Sequence, residues 1–340
     1  MASSDPLPDH VGAALRALDH DGARGGVTTP VDLLAQRPRL SMRDHEKYVS
    51  VTMEFRCNLA CVHCMIEGTM DRLKPTSDAA FQKVLDEQSE HGRWEGLVLT
   101  GSEITLRRDL PDLARRARAA GFAHVRIQTH GVHLARKDYA DRLVDAGVDE
   151  YFVSVAGATR ESHDRITAVP GAWDKMMAGM AHLDSYDHVR LLTNTVVTEL
   201  SYRELPELVD ALGHLKQLVQ MEFWTYWPMA ESDIKQLCVS HEAILPYLRQ
   251  AILRSRALGR FVEVKNFPEC LLGELGDALV NSQPLLVIDP EFWTEFDRNG
   301  FHQCRHRDVC ASTECLGLNT AYIKRFGWEE TLLAPLPELK

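Results

Sequence analysis

No window of eighteen consecutive apolar residues occurs in the 340-residue chain, so no segment is expected to cross a bilayer as a helix. Basic residues are also in deficit, 38 Lys and Arg against 49 Asp and Glu, for a formal charge of −11. That balance repels a phosphate backbone unless a basic face is segregated, which makes nucleic acid a poor candidate partner. The one basic stretch, Arg107, Arg108, Arg115, Arg116 and Arg118, interleaves with Leu110, Leu113, Ala114 and Ala117 and reads as the solvated face of a helix. The N-terminus lacks an apolar signal segment, so the eight cysteines are expected to stay reduced, in a cytoplasmic protein. At 45% hydrophobic and 26% charged, the remainder is ordinary globular composition, enough for one large domain and a smaller one.

A fourth thiol is missing where three crowd together. Cys57-Asn58-Leu59-Ala60-Cys61-Val62-His63-Cys64 spaces its cysteines C-x3-C-x2-C. Such a set holds three irons of a [4Fe–4S] cube and leaves one iron open to another ligand. Zinc fits less well, because knuckles pair C-x2-C arms and use four ligands. The run follows Tyr48 to Phe55, whose Val, Thr and Phe content reads as a strand, so the thiols lie on the loop leaving it, where β/α sheets and barrels keep their chemistry. In this position the motif resembles that of the radical SAM family, in which the open iron is chelated by S-adenosylmethionine (SAM).

Strand-like runs recur at Leu97–Thr100, Val125–Thr129, Tyr151–Val155, Val189–Val197 and Val219–Tyr226, with helical patterns between them. Thr76-Ser77-Asp78 precedes an apolar face of Phe81, Val84 and Leu85 that Gly92 closes, and further helices end at Gly121 and Gly147. This alternation argues βα units on a parallel sheet. The expected fold is α/β, a partial (β/α)6 TIM-like barrel over residues 46–236, the architecture the resemblance also implies. Residues 1–45 are expected to form an N-terminal extension with an amphipathic stretch near Val11 to Leu18. Residues 237–340, where the period breaks and cysteine density rises, are expected to form a small auxiliary-cluster region.

The resemblance extends to residues around the barrel mouth. His63 takes the place of the aromatic residue that packs near the adenine. Thr100-Gly101-Ser102-Glu103-Ile104 is similar to the family's Gly-Gly-Glu-Pro motif, with Gly101 allowing close approach of backbone and ligand and Glu103 or neighbouring carbonyls accepting the methionine ammonium; Ser102 and Ile104 depart from the pattern. Thr129-His130-Gly131 resembles Thr-Asn-Gly, with His130 replacing asparagine. Ser154 and Lys175 correspond to residues that hold the SAM ribose or carboxylate in the subgroup with auxiliary clusters, and Asn194 is a further candidate for the nucleoside. On the sixth strand, alternation puts Glu222, Trp224 and Tyr226 on one face, an acid among rings that would suit a flat or sugar-like substrate.

Cys304-x5-Cys310-x4-Cys315, together with Cys270, supplies the four thiols of a closed cube. The region resembles the auxiliary-cluster segments called SPASM and twitch. Only five cysteines remain after the first three are assigned, so at most one four-thiolate cluster can form, which favours the reduced, twitch-like arrangement. Zinc on these thiols, with His302 or His306 as substitutes, is the competing reading. Cys238 reads as an ordinary buried side chain.

The resemblance implies an oxidoreductase- or lyase-type enzyme that reductively cleaves SAM to a 5′-deoxyadenosyl radical and abstracts hydrogen from its substrate, with a flavodoxin- or ferredoxin-type reductant as partner. A small carbohydrate- or nucleoside-like metabolite of specialised (natural-product) metabolism, undergoing dehydrogenation, epimerisation or decarboxylation, is the first expectation. A ribosomal precursor peptide is the alternative, disfavoured because 1–45 is short for a leader-binding domain. A non-catalytic iron–sulfur or zinc protein is the third.

Overall fold

The computed structural model describes residues 42–66 and 72–337; the expected extension lies outside them except for its last few residues. Eight strands form one sheet: β1 Tyr48–Glu54, β2 Gly96–Gly101, β3 His124–Thr129, β4 Glu150–Ser154, β5 Arg190–Val197, β6 Leu218–Thr225, β7 Phe261–Lys265 and β8 Leu285–Val287. Their order is β7-β6-β5-β4-β3-β2-β1-β8, every pair parallel. The six expected strands are present, and the C-terminal third adds one more at each edge. The intervening helices are α1 Asp78–His91, α2 Leu110–Ala119, α3 Lys137–Asp145, α4 Arg160–Thr167, α5 Ala172–Leu183, α6 Leu205–Leu212 and α7 His241–Ala257, followed by the short α8 Glu269–Leu272, α9 Glu291–Asp297 and α10 Thr320–Phe326.

The helix ends follow from the sequence. Ser77 caps α1 by accepting from Ala80 N, and Gly92 closes it at φ +59°, its N–H donating to Gln88 O, the left-handed turn that glycine adopts without strain. On α2, Leu110, Leu113, Ala114 and Ala117 are buried and Arg115 is exposed, but the expected solvated face is not uniform: Arg116 lies over the Phe81 ring and Arg118 donates to Gly147 O at 2.7 Å and pairs with Asp149.

Strand alternation sorts the sheet into two faces. Val49, Val51, Leu97, Leu99, Val125, Ile127, Val153, Leu191, Met221, Phe223 and Val264 point toward the helices and form the main core. The opposite face is polar, with Glu54, Arg126, Glu150, Asn194, Gln220, Glu222, Glu263 and Lys265 all buried. Parallel strands covered on both faces normally read as unbroken apolar runs, so polar alternation here marks the concave interior of a curled sheet. At its base, Arg126 pairs with Glu150 at 2.6 Å, Tyr48 donates to the same carboxylate at 3.1 Å, and the guanidinium lies 4.8 Å from the Tyr48 ring centroid. Losing one member of such a buried pair costs about 3–5 kcal/mol.

Helix α9 demonstrates the curl. Its Phe292 packs with Phe55, one residue past β1, while its Phe296 meets the ring of Trp227, two residues past β6, at 5.3 Å between centroids. Strands far apart in the sheet order therefore end beside the same short helix, at the rim where their C-terminal ends gather.

Candidate functional site

The cysteine loop leaves β1 at this rim and is tied down on several sides. Glu54, the last residue of β1, accepts from the Arg56 backbone at 2.8 Å and from its guanidinium at 2.6 and 3.0 Å. Ala60 N and Val62 N donate to Thr167 O and Ile166 O at the end of α4, Cys64 N donates to Cys61 O, and Lys235 Nζ donates to Val62 O at 3.0 Å. Leu59 N points at Cys57 Sγ from 3.4 Å.

The three thiols are half-buried. Burial, followed by the neighbouring thiols, pushes Cys61 up to about 12; burial also raises Cys57, with Glu103 and Cys64 adding to it. Neighbouring sulfurs that disfavour one another's thiolate form have the donor chemistry of a site completed by metal. His63, between the last two cysteines, has a buried Nδ1 with no hydrogen-bond partner. Burial, aided by His163 and Lys235, lowers its pKa to about 4, leaving a neutral ring.

Gly101 ends β2 against β1. A Cβ there would lie 1.9 Å from Glu54 O, so only glycine lets Ser102 N donate to that oxygen at 2.8 Å. The Ser102 hydroxyl donates to Phe55 O at 2.8 Å. Glu103, expected as a possible ammonium acceptor, is instead fully buried and committed within the protein. Its Oε1 accepts from Thr105 N at 3.0 Å, from the Thr105 hydroxyl and from Thr129 Oγ1 at 2.7 Å; its Oε2 accepts from His130 N at 2.8 Å and faces His130 Nε2 at 3.1 Å. His130 Nε2 also lies 2.8 Å from Asn58 Oδ1, on the cysteine loop.

Further along the rim, Ser154 is exposed at the end of β4, in register with Asn194, itself in register with Glu222. Lys175 is exposed on α5, with no hydrogen bond or ion pair to the rim among the described residues. Glu222 and Trp224 share the concave face as expected: Trp224 Nε1 donates to Glu222 at 2.7 Å, Gln220 Nε2 donates at 2.8 Å, and Phe152 lies 6.4 Å from the indole. Strand β6 ends at Thr225, and the Tyr226 ring packs with Leu237 and the buried Cys238.

Two interior residues were missing from the expected set. Glu263, in register with Glu222, is pushed up to about 7 by burial and by Glu222. Lys265 lies 3.2 Å from it, donates to Val280 O at 2.7 Å and sits 5.8 Å from the Trp224 centroid. The alternation Phe261-Val262-Glu263-Val264-Lys265 carried the signal of a strand with one polar face.

In the C-terminal region Cys270, Cys304, Cys310 and Cys315 line one small pocket together with His306. Backbone N–H groups point at the sulfurs: His306 N at Cys304, Gly317 N at Cys315 and Leu336 N at Cys310, with Ala334 N serving Cys270. Burial raises Cys270 and Cys315. Four convergent, amide-served sulfurs fit a closed iron–sulfur cube.

Residues 52–212 match the family model for the radical SAM superfamily. This segment is a radical SAM domain. Its cofactors in the family are a [4Fe–4S] cluster and SAM, and solved neighbours contain bound AdoMet. The chain is 35% identical over 170 residues to a probable GTP 3′,8-cyclase of Methanopyrus kandleri, covering 50% of this chain and 53% of that protein. It is 29% identical over 190 residues to an AdoMet-dependent heme synthase of Methanosarcina barkeri, covering 55% and 52%. The chain thus spans about half the length of these curated relatives. A solved structure of anSMEcpe with bound AdoMet and Kp18Cys peptide superposes with a TM-score of 0.52 at 14% identity, over 64% of this chain and 63% of the other, a likeness of fold.

Proposed function

We propose that the protein is a radical SAM enzyme with a second, C-terminal iron–sulfur cluster, acting on a small carbohydrate- or nucleoside-like metabolite. In this reading residues 46–236 are the catalytic barrel and 237–340 carry the second cluster. The observation that carries it is the placement of the Cys57, Cys61, Cys64 loop on the same strand-end rim as the polar interior of Asn194, Glu222, Trp224 and Lys265.

Cys57, Cys61 and Cys64 would hold the first cluster, and Cys270, Cys304, Cys310 and Cys315 the second. When bound, the first cluster supplies the electron for reductive cleavage of SAM, and with it the radical that removes hydrogen from the substrate. The chain's own residues do the positioning. Gly101 keeps β1 and β2 close enough for backbone carbonyls to meet the methionine ammonium, since Glu103 is engaged elsewhere. His63, held neutral, packs against the adenine, while Ser154 and Asn194 bind the ribose side. Glu222, with Trp224 fixed to it by a hydrogen bond, presents an acceptor and a ring face to the substrate. The α9 helix, bridging the ends of β1 and β6, shields the mouth from water. Reduction would come from a flavodoxin- or ferredoxin-type protein. Relatives named for GTP and heme chemistry support a flat heterocyclic or sugar-bearing substrate over a peptide.

The test is anaerobic incubation of the reconstituted protein with dithionite, SAM and candidate nucleotides or sugars in D2O. Formation of 5′-deoxyadenosine that rises with one of these compounds, with deuterium in the product, is expected. Failure to cleave SAM at all would leave a non-catalytic metalloprotein.

A further inference from the structure

His130 occupies a junction between the ends of β2 and β3 and the cysteine loop. It stands one residue past β3, and three partners define its ring. Val132 N donates to Nδ1 at 3.2 Å, so in the neutral ring the proton sits on Nε2. That N–H faces two acceptors, Glu103 Oε2 at 3.1 Å and Asn58 Oδ1 at 2.8 Å. Burial lowers the ring's pKa, which favours the neutral ring, and the Val132 N–H selects its tautomer. Behind it, the Glu103 carboxylate is anchored by Thr105 and Thr129 and, with its residue, fully buried. In front, Asn58 is exposed on the loop and directly follows Cys57. The Glu103 charge is close enough to Cys57 to disfavour its thiolate, and the His130 N–H stands between Glu103 and the residue next to that thiol.

We propose that His130 is a positioning residue, tethering the first cysteine of the cluster loop to the buried Glu103 through Asn58. The ring does not touch a sulfur. It transmits the fixed position of the β2 and β3 ends to a loop that is also held on α4 through Ala60 and Val62 and by Lys235. This inference rests on the reading of Cys57, Cys61 and Cys64 as cluster ligands.

A double-mutant cycle tests it on the reconstituted full chain: Asn58→Ala, His130→Ala and the double variant, with His130→Gln as the conservative replacement. Three quantities are read: the rate at which an iron chelator bleaches the cluster, the electron paramagnetic resonance line shape of the reduced cluster with and without SAM, and the melting temperature. Each single alanine variant should lose the SAM-responsive cluster about five- to tenfold faster, the scale of one hydrogen bond. The double variant should be no faster than His130→Ala, because the two residues act as one link. His130→Gln, which keeps a side-chain N–H, should recover most of the retention.

Asn58→Ala lies on an exposed position and removes only the tether, so it decides the matter even where His130→Ala folds poorly. Wild-type retention and line shape in Asn58→Ala overturn the tether, as do additive effects in the cycle. A wild-type protein that takes up no SAM-responsive cluster overturns the functional reading as well, which separates the two failures.

Discussion

His241 Nδ1 lies 2.6 Å from a carboxylate oxygen of Glu329, and this pair joins the start of α7 to the segment after α10. Tyr322 donates to the other carboxylate oxygen at 2.5 Å, accepts from His241 N at 2.8 Å and stacks on the imidazole at 4.2 Å. The pair thus ties α7 to the segment that follows α10.

The hydrogen bonds from His241 and Tyr322 outweigh burial and hold the Glu329 carboxyl below its ordinary range. A depressed carboxyl pKa contributes stability above the unfolded value, near 4.5, that is lost as pH falls through the folded one. Thermal melts between pH 7 and pH 3 should show the wild type losing stability through this window. Glu329→Gln should start lower at pH 7 and fall less on acidification; a parallel pair of curves would show that the pair contributes nothing.

Cys57→Ala, Cys61→Ala and Cys64→Ala should each abolish 5′-deoxyadenosine formation while leaving the melting temperature within a few degrees of wild type. The loop hangs from the rim and none of the three thiols belongs to the main core. Near-normal SAM cleavage in any one of them contradicts their role as ligands.

Reconstituted protein should contain about eight irons per chain, from two four-iron groups. Cys310→Ala should retain about four and lose product formation more than uncoupled SAM cleavage. About four irons and one zinc in the wild type would instead make the C-terminal site structural, and both activities would then fall together with stability.

Gly101→Ala should destabilise the fold by about 3 kcal/mol, since a methyl group 1.9 Å from Glu54 O forces the ends of β1 and β2 apart. Calorimetry should show a drop of several degrees, accompanied by weaker SAM binding in equilibrium dialysis. An unchanged melting temperature would mean that the strand ends yield without cost.

The six central strands were legible because each pairs an apolar run with a helix whose caps are written locally, as at Ser77 and Gly92. The two edge strands were not. β8 is three residues, too short for periodicity, and β7, although its five residues alternate, stands apart from the run of βα units that the central strands form. The first thiol triad was readable because ligand spacing within one loop is a local property. The Glu103–His130–Asn58 link was not, because its members are brought together by the ends of three different strands. Alternation governs side chains only while the strand lasts, and β6 stops one residue before Tyr226. Glu103 showed its acidic character in sequence but not its burial, which depends on Thr105 and Thr129 closing around it.

The pairing of Val49 with Leu285 carries a consequence for assembly. β1 gains its outer neighbour from a segment near the far end of the described chain, so this contact is among the most non-local in the sheet, and closing it is slow. Until it forms, one edge of the strand that launches the cysteine loop presents unpaired amides and carbonyls, an edge prone to wrong association. Strands β1 to β7 follow one another along the sheet in chain order, so as the polypeptide emerges the sheet extends from β1 toward β7, and among its final hydrogen bonds are those by which β8 covers the strand carrying the first three thiols.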